Sequence, residues 1–143
     1  DNILAIDADS IVRKDLNELV ELIQIYDFMA RIETRVPTAF IDPNETMLSE
    51  GVMCFRNTPA STIFVEEMAS RIEQARGTDL YNWSMDTIML VSVFKKYKPT
   101  LKFNGLPHSY KDITFNNNAH IWSGQGSGKN DEKYISECQL YED

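Results

Sequence analysis

Apolar and polar positions in the first quarter of the chain follow strand-like and helix-like patterns in turn. The short β-branched run Ile3–Ile6 stops at acidic residues, which is typical of a buried parallel strand that leads into a loop. Apolar residues then recur at helical spacing over residues 16–23 and predict an amphipathic helix that covers a sheet. Residues 28–32 are strand-like again. The order strand, helix, strand predicts a βαβ unit.

The middle of the chain repeats the succession of strand and helix. Residues 51–56 form an apolar strand candidate, and Thr58 and Pro59 are a favourable N-cap and first turn for a helix that Gly77 ends. Ser84 can cap a third helix, which is apolar nearly all round and is therefore expected to be largely buried. The remaining predictions are a short strand at 101–103 and loops at 116–118 and 124–128, with a loop or edge strand at 37–44.

Composition and charge exclude several classes of protein. The chain has 143 residues, of which 43% are hydrophobic and 25% charged, as expected for one globular domain. Its formal charge of −8, without a cluster of Lys and Arg, argues against nucleic acid as a partner. No apolar stretch approaches the roughly 20 residues that a membrane helix needs. Cys54 and Cys138 lie far apart, which favours reduced thiols and a cytoplasmic setting, with Cys54 in the core.

Asp7 and Asp9 directly follow the first predicted strand and carry the main candidate chemistry. Ligands of open α/β sheets bind beyond the carboxyl ends of the strands. Residues two apart on extended backbone point the same way, so both carboxylates can reach one hard cation such as Mg²⁺ or Mn²⁺. The alternative is that the two acids only end a strand and cap a turn. Adjacent like charges after four apolar residues favour the cation site.

Residues 3–12, followed by residues 15–19, resemble the Asp-x-Asp region of GT-A-fold glycosyltransferases, and family 8 and its relatives most of all. Residues 48–56 resemble the same family's glycine-containing strand, and residues 120–124 its C-terminal His-x-x-Gly element. The resemblance implies an α/β chain with a GT-A-like mixed sheet flanked by helices. The chain opens without an initiator Met, so residues 1–143 are expected to be the C-terminal part of a single catalytic domain whose nucleotide-binding portion lies upstream.

The same resemblance implies a metal-dependent enzyme that moves a sugar from a nucleotide-diphosphate donor to a hydroxyl of a carbohydrate or other acceptor. By this resemblance, Asp7, Asp9 and His120 are the expected ligands of Mn²⁺ or Mg²⁺. Asp7, Lys129 and Gly124 are the residues expected to bind the donor diphosphate. A cation that bridges the two phosphates stabilises the leaving nucleoside diphosphate as negative charge builds on it.

Two departures from the family pattern concern the C-terminal element. His120 and Gly124 are separated by three residues where the family has two. Lys129 is followed by Asn130-Asp131, where the family has Pro-Trp. The alternative to a metal ligand at His120 is a partly buried histidine in a loop. The alternative to a binding role for the glycine-rich loop at 124–128 is that its glycines only make it flexible.

Asp86 and Glu50 are the candidate catalytic carboxylates. Asp86 resembles the retained aspartate of the family's Asp-Gln-Asp helix start, with Met85 in place of the glutamine. It would orient sugar hydroxyls or act as the base of an inverting enzyme, and the alternative is N-terminal capping of the helix. Glu50 stands where the family has a sugar-contacting residue, although a surface carboxylate at a strand start needs no special reason. Trp83 and Trp122 would stack on a sugar or pack in the core.

Two other functions compete with sugar transfer. A phosphohydrolase of the haloacid dehalogenase type also begins with an apolar strand and Asp-x-Asp, and Ser10 and Ile11 fit its next positions. Its later lysine and paired-acid motifs have only a faint counterpart in Asn130-Asp131. A catalytically silent carbohydrate-binding module is the third possibility, which Met85 favours and the two aspartates oppose.

Overall fold

The computed structural model describes residues 1–33, 47–78 and 85–141. Within these ranges the chain forms strands and α-helices in a mixed α/β order. The elements are β1 Ile3–Ile6, β2 Ser10–Val12, α1 Asn17–Leu22, β3 Phe28–Glu33, β4 Met47–Phe55, α2 Pro59–Ala75, α3 Met85–Tyr97, β5 Phe103–Leu106, β6 Ile121–Ser123 and α4 Glu132–Gln139.

The described strands make a mixed four-stranded sheet in the order β1-β4-β3-β5 and a separate two-stranded ribbon of β2 and β6. Strand β4 is antiparallel to both β1 and β3, and β5 is parallel to β3. Strands β1 and β3 therefore run parallel, with α1 between them in sequence. This confirms the predicted βαβ order, with β4 inserted between its two strands.

Strand β1 differs from the prediction of a buried parallel strand. It pairs with antiparallel β4 and lies at the edge of the described sheet. Ile3 is 55% exposed and Leu4 36% exposed, because no described strand lies on their outer side. The apolar run correctly predicted a strand. How deeply that strand is buried depends on the neighbouring strands and helices, which the residues of the run do not specify.

An aromatic cluster forms the larger core between the sheet and helices α2 and α3. The Phe28 ring, fully buried on β3, lies 5.0 Å from the ring of Phe55 and 4.9 Å from that of Phe64, centroid to centroid. Thr58 is the N-cap of α2, as predicted. It also forms a capping box with Ser61, which was not predicted. The largely buried third helix is also confirmed, since α3 buries five residues: Met85, Leu90, Val91, Val93 and Phe94.

The C-terminal segment contains more regular structure than the sequence indicated. The predicted loop at 124–128 continues into a 3₁₀ turn, Gly126–Asn130, and then into α4. Tyr134 of α4 packs in a small core with Phe115 and Trp122. The Trp122 indole is 1% exposed and its Nε1 donates to the Asn116 carbonyl at 2.7 Å, so it packs in the core and offers no face to a sugar.

Several predictions fall outside the described residues, namely the loop or edge strand at 37–44, the Ser84 cap and the role of Trp83. Both cysteines are free thiols and Cys54 is buried, as predicted. Across residues 1–33, 47–78 and 85–141, each helix is too short or too polar to cross a membrane.

Candidate functional site

Asp7 and Asp9 lie in the tight turn that joins β1 to β2. The Asp7 amide donates to the Gly51 carbonyl at 3.0 Å, and the Ser10 amide donates to the Asp7 carbonyl at 3.1 Å. The Asp9 carbonyl accepts from the Gly124 amide and from the Tyr134 hydroxyl, each at 2.8 Å. Strand β4 thus holds the turn on one side, and the segment after β6 holds it on the other.

Lys129 pairs directly with Asp9. Its Nζ lies 2.9 Å from Asp9 Oδ2, and the two side chains are 55% and 29% exposed. The 3₁₀ turn at Gly126–Asn130 carries Lys129 to this position, and Asp131 then caps α4 by accepting from the Lys133 amide. The replacement of Pro-Trp by Asn130-Asp131 therefore does not keep Lys129 away from the aspartates.

The electrostatic environment of Asp7 combines like and unlike charges. Burial raises the pKa of the Asp7 carboxyl, and the neighbouring charges of Asp9 and Asp86 raise it further. The ammonium groups of Lys111 and Lys129 oppose this shift. The net direction of these effects on the pKa of Asp7 is upward.

Two glycines allow the backbone to approach the site closely. A Cβ on Gly51 would lie 2.5 Å from Lys111 Cε and 3.0 Å from Asp7 Oδ2. A Cβ on Gly124 would lie 2.6 Å from Tyr134 Cζ. A side chain at Gly51 would displace the flexible end of Lys111, and one at Gly124 would clash with the Tyr134 ring.

Lys111 belongs to this site, and sequence reasoning missed it. It follows the 3₁₀ turn His108–Tyr110, is 2% exposed, and donates from Nζ to the Ser49 hydroxyl. The Arg31 guanidinium donates to its backbone carbonyl. A lysine in a polar segment ordinarily predicts a solvated surface position, and only the tertiary contacts show otherwise.

His120 stands apart from the expected ligand set in this structure. Its ring stacks on Tyr110, with centroids 4.6 Å apart, and its Nδ1 is buried without a hydrogen-bond partner. Among the residues that the structure describes, no group of three or more His, Cys, Asp or Glu side chains is placed to hold a metal ion. The chain therefore brings Asp7 and Asp9 together but does not assemble them with His120.

The donor atoms nevertheless suit a hard divalent cation. Carboxylate oxygens from Asp7 and Asp9 are the ligands that Mg²⁺ and Mn²⁺ prefer, and imidazole nitrogen is an acceptable additional one. Asp9 already forms an ion pair with the positively charged Lys129 ammonium. The unpartnered Nδ1 of His120 is a buried acceptor or donor that the protein itself leaves unused.

Glu50 and Asp86 each accept a hydrogen bond from Thr87. The Thr87 hydroxyl donates to Glu50 Oε2 at 2.8 Å, and the Thr87 amide donates to Asp86 Oδ1 at 2.9 Å. Asp86 lies exposed in the first turn of α3, where a negative charge is favourable at the helix N-terminus. Its charge also acts on Asp7, which places it on the same side of the molecule as the aspartate pair.

Comparison with known proteins identifies the fold. No protein-family model matches the chain, and no curated protein sequence matches it. A crystal structure of galactosyltransferase LgtC in complex with donor and acceptor sugar analogs is similar, with a TM-score of 0.54 and 14% identity. It matches 88% of this chain and 53% of LgtC. A structure of an active-site mutant of LgtC gives a TM-score of 0.53 at 13% identity, with the same coverage of both chains.

The chain thus has the GT-A-like mixed α/β fold that its sequence predicted. It spans about half the length of the structures that it matches. At this level of identity the likeness concerns the fold alone, and function has to be argued from the site.

Proposed function

We propose that this chain carries the metal and donor-phosphate part of a glycosyltransferase that moves a sugar from a nucleotide-diphosphate donor to an acceptor hydroxyl. The observation that carries the proposal is the Asp7–Asp9 turn, which stands at the end of a sheet strand in a GT-A-like fold and is already neutralised in part by Lys129. Because the matched structures are about twice as long, we also propose that residues 1–143 are the C-terminal part of a single catalytic domain.

In this proposal Asp7 and Asp9 would hold Mn²⁺ or Mg²⁺, and His120 would become a further ligand by turning its ring away from Tyr110. A cation held there would supply positive charge to offset the charge of the departing nucleoside diphosphate. Lys129, on its glycine-rich turn, exchanges its ion pair with Asp9 for the donor phosphate. Gly124 presents its backbone at the same point, where its amide already fixes the Asp9 carbonyl.

The two carboxylates beside Thr87 are proposed to bind the sugars. Asp86 is exposed and near Asp7, so it can accept hydrogen bonds from donor or acceptor hydroxyls. Glu50 is half-buried and held by the Thr87 hydroxyl, which fixes its orientation towards the start of α3. These positions suit recognition of a hydroxyl-rich ligand, and either residue is a candidate base for an inverting reaction.

The competing functions have less support. A phosphohydrolase of the haloacid dehalogenase type would need a paired-acid motif at a strand end, whereas Asn130 ends a 3₁₀ turn and Asp131 caps α4. A silent carbohydrate-binding module would have no reason to keep two adjacent carboxylates beside two lysines at a strand end.

The test is a donor screen on the protein at its natural length. Nucleotide sugars with different bases and sugars are supplied one by one with Mn²⁺ and a mixture of simple acceptors, and release of nucleoside diphosphate is measured. We expect turnover with at least one donor, loss of turnover in EDTA, and recovery when Mn²⁺ or Mg²⁺ is restored. Turnover that is indifferent to chelation, or release of inorganic phosphate from a phosphomonoester instead, would refute the proposal.

A further inference from the structure

Lys111 is the only buried charged residue among those that the structure describes. Removing an ammonium from water is costly unless a counter-charge or hydrogen-bonding group compensates it. Among the described residues the side chain donates to the neutral hydroxyl of Ser49, which is one of the three hydrogen bonds that an ammonium can donate. A fold seldom keeps a lysine in such a place without a use for its charge.

The position of the ammonium indicates that use. A Cβ on Gly51 would lie 2.8 Å from Lys111 Nζ and 3.0 Å from Asp7 Oδ2, so the two charged groups flank the same face of Gly51. Ser49 and Gly51 both belong to β4, so a rigid strand holds the ammonium in place.

Charge balance around the aspartate turn shows why a fixed cation matters. Asp7, Asp9 and Asp86 bring three negative charges, and the chain as a whole has a formal charge of −8. Lys129 offsets Asp9, and its side chain is 55% exposed. The Lys111 side chain is buried. An anionic ligand that approaches this turn therefore always meets the Lys111 charge.

We propose that Lys111 is a positioning residue of the donor site, a fixed cation that holds the Asp7 carboxylate beside Gly51 and lets the aspartate turn accept an anionic diphosphate. This inference rests on the proposed function. It assigns to Lys111 a part in donor binding that acts through Asp7 and through the local field, without requiring that Lys111 itself touch the substrate.

The experiment compares ligands with and without phosphates on the protein at its natural length. Uridine diphosphate and uridine are titrated into the protein by calorimetry in the presence of Mn²⁺. Guanosine diphosphate and guanosine are titrated in the same way. We expect Lys111→Met to weaken diphosphate binding by about tenfold or more, because the fixed positive charge beside Asp7 is lost. Nucleoside binding should change by less than about twofold, since uncharged ligands do not respond to the field. Lys14→Met, the same substitution at an exposed lysine, is the matched control and should bind as wild type.

Two further variants keep the test decisive if Lys111→Met fails to fold. Gly51→Ala keeps the charge but inserts a Cβ where the ammonium lies, and Ser49→Ala removes the hydroxyl that holds the ammonium. Both should weaken diphosphate binding selectively. Equal weakening of nucleoside and diphosphate, or no weakening in variants that fold, would overturn the inference and leave the proposed function standing. Absence of nucleoside diphosphate binding in the wild-type protein would instead refute the proposed function.

Discussion

Asp7 and Asp9 illustrate how much single residues reveal by their position in the sequence. Two acids directly after an apolar strand predicted a loop beyond the carboxyl end of that strand. They lie in the turn after β1, and Lys129 forms an ion pair with Asp9. Lys111 was not predictable, since nothing in its neighbours along the chain signals burial. His120 was predicted beside the aspartates, but its ring stacks on Tyr110, and a ligand set depends on side-chain orientations that spacing does not specify.

The two thiols provide a test at the scale of single residues. Burial raises the pKa of the Cys54 thiol to about 12, whereas Cys138 is only half-buried. The reactive thiolate of Cys54 is therefore scarce in the folded chain at pH 8, by several orders of magnitude relative to an exposed thiol. Iodoacetamide should modify Cys138 and leave Cys54 unmodified until denaturant is added, as read by peptide mass spectrometry. Equal labelling of both thiols in the native protein would show that the β4 core is not packed as described.

At the scale of elements, the sequence predicted the ends of a helix correctly where the capping residues themselves lie at those ends. Thr58, Pro59 and Gly77 predicted the start and the end of α2, and the helix has a capping box at one end and a residue at φ +79° after the other. Helix α4 was not predicted, because its eight residues expose most of their surface and only Tyr134 is buried. Short helices of this kind depend on tertiary packing more than on propensity.

The capping box of α2 makes a second prediction. The Thr58 hydroxyl accepts from the Ser61 amide at 3.3 Å and donates to Asp27 Oδ1 at 3.0 Å, so it ties the start of α2 to the residue directly before β3. Thr58→Ala should lower the free energy of unfolding by about 1 kcal/mol. Thr62→Ala, at an exposed position one turn later, removes a hydroxyl without removing the cap and is the control. Urea denaturation followed by circular dichroism measures both, and equal stability of the two variants would contradict the role given to the cap.

At the scale of the whole molecule, the sheet order explains why β1 was misjudged. The apolar run predicted a strand, but its partner β4 lies more than forty positions away, and long-range pairing leaves no local signature. The fold class was predictable because the succession of strands and helices admits few arrangements. The GT-A-like likeness then extends over 88% of the chain, which accounts for the correct order of the predicted elements.

The central claim is that the Asp7–Asp9 turn binds a nucleoside diphosphate through a divalent cation. Calorimetry on the protein at its natural length, with Mn²⁺ and with EDTA, tests it most directly when wild type, Asp9→Asn and Glu21→Gln are compared. Asp9→Asn is nearly isosteric but removes a ligand charge, whereas Glu21 is an exposed acid on α1. We expect binding in wild type and Glu21→Gln with Mn²⁺, and loss of about tenfold or more in Asp9→Asn and in EDTA. Unchanged affinity after chelation, or in Asp9→Asn, would contradict the claim.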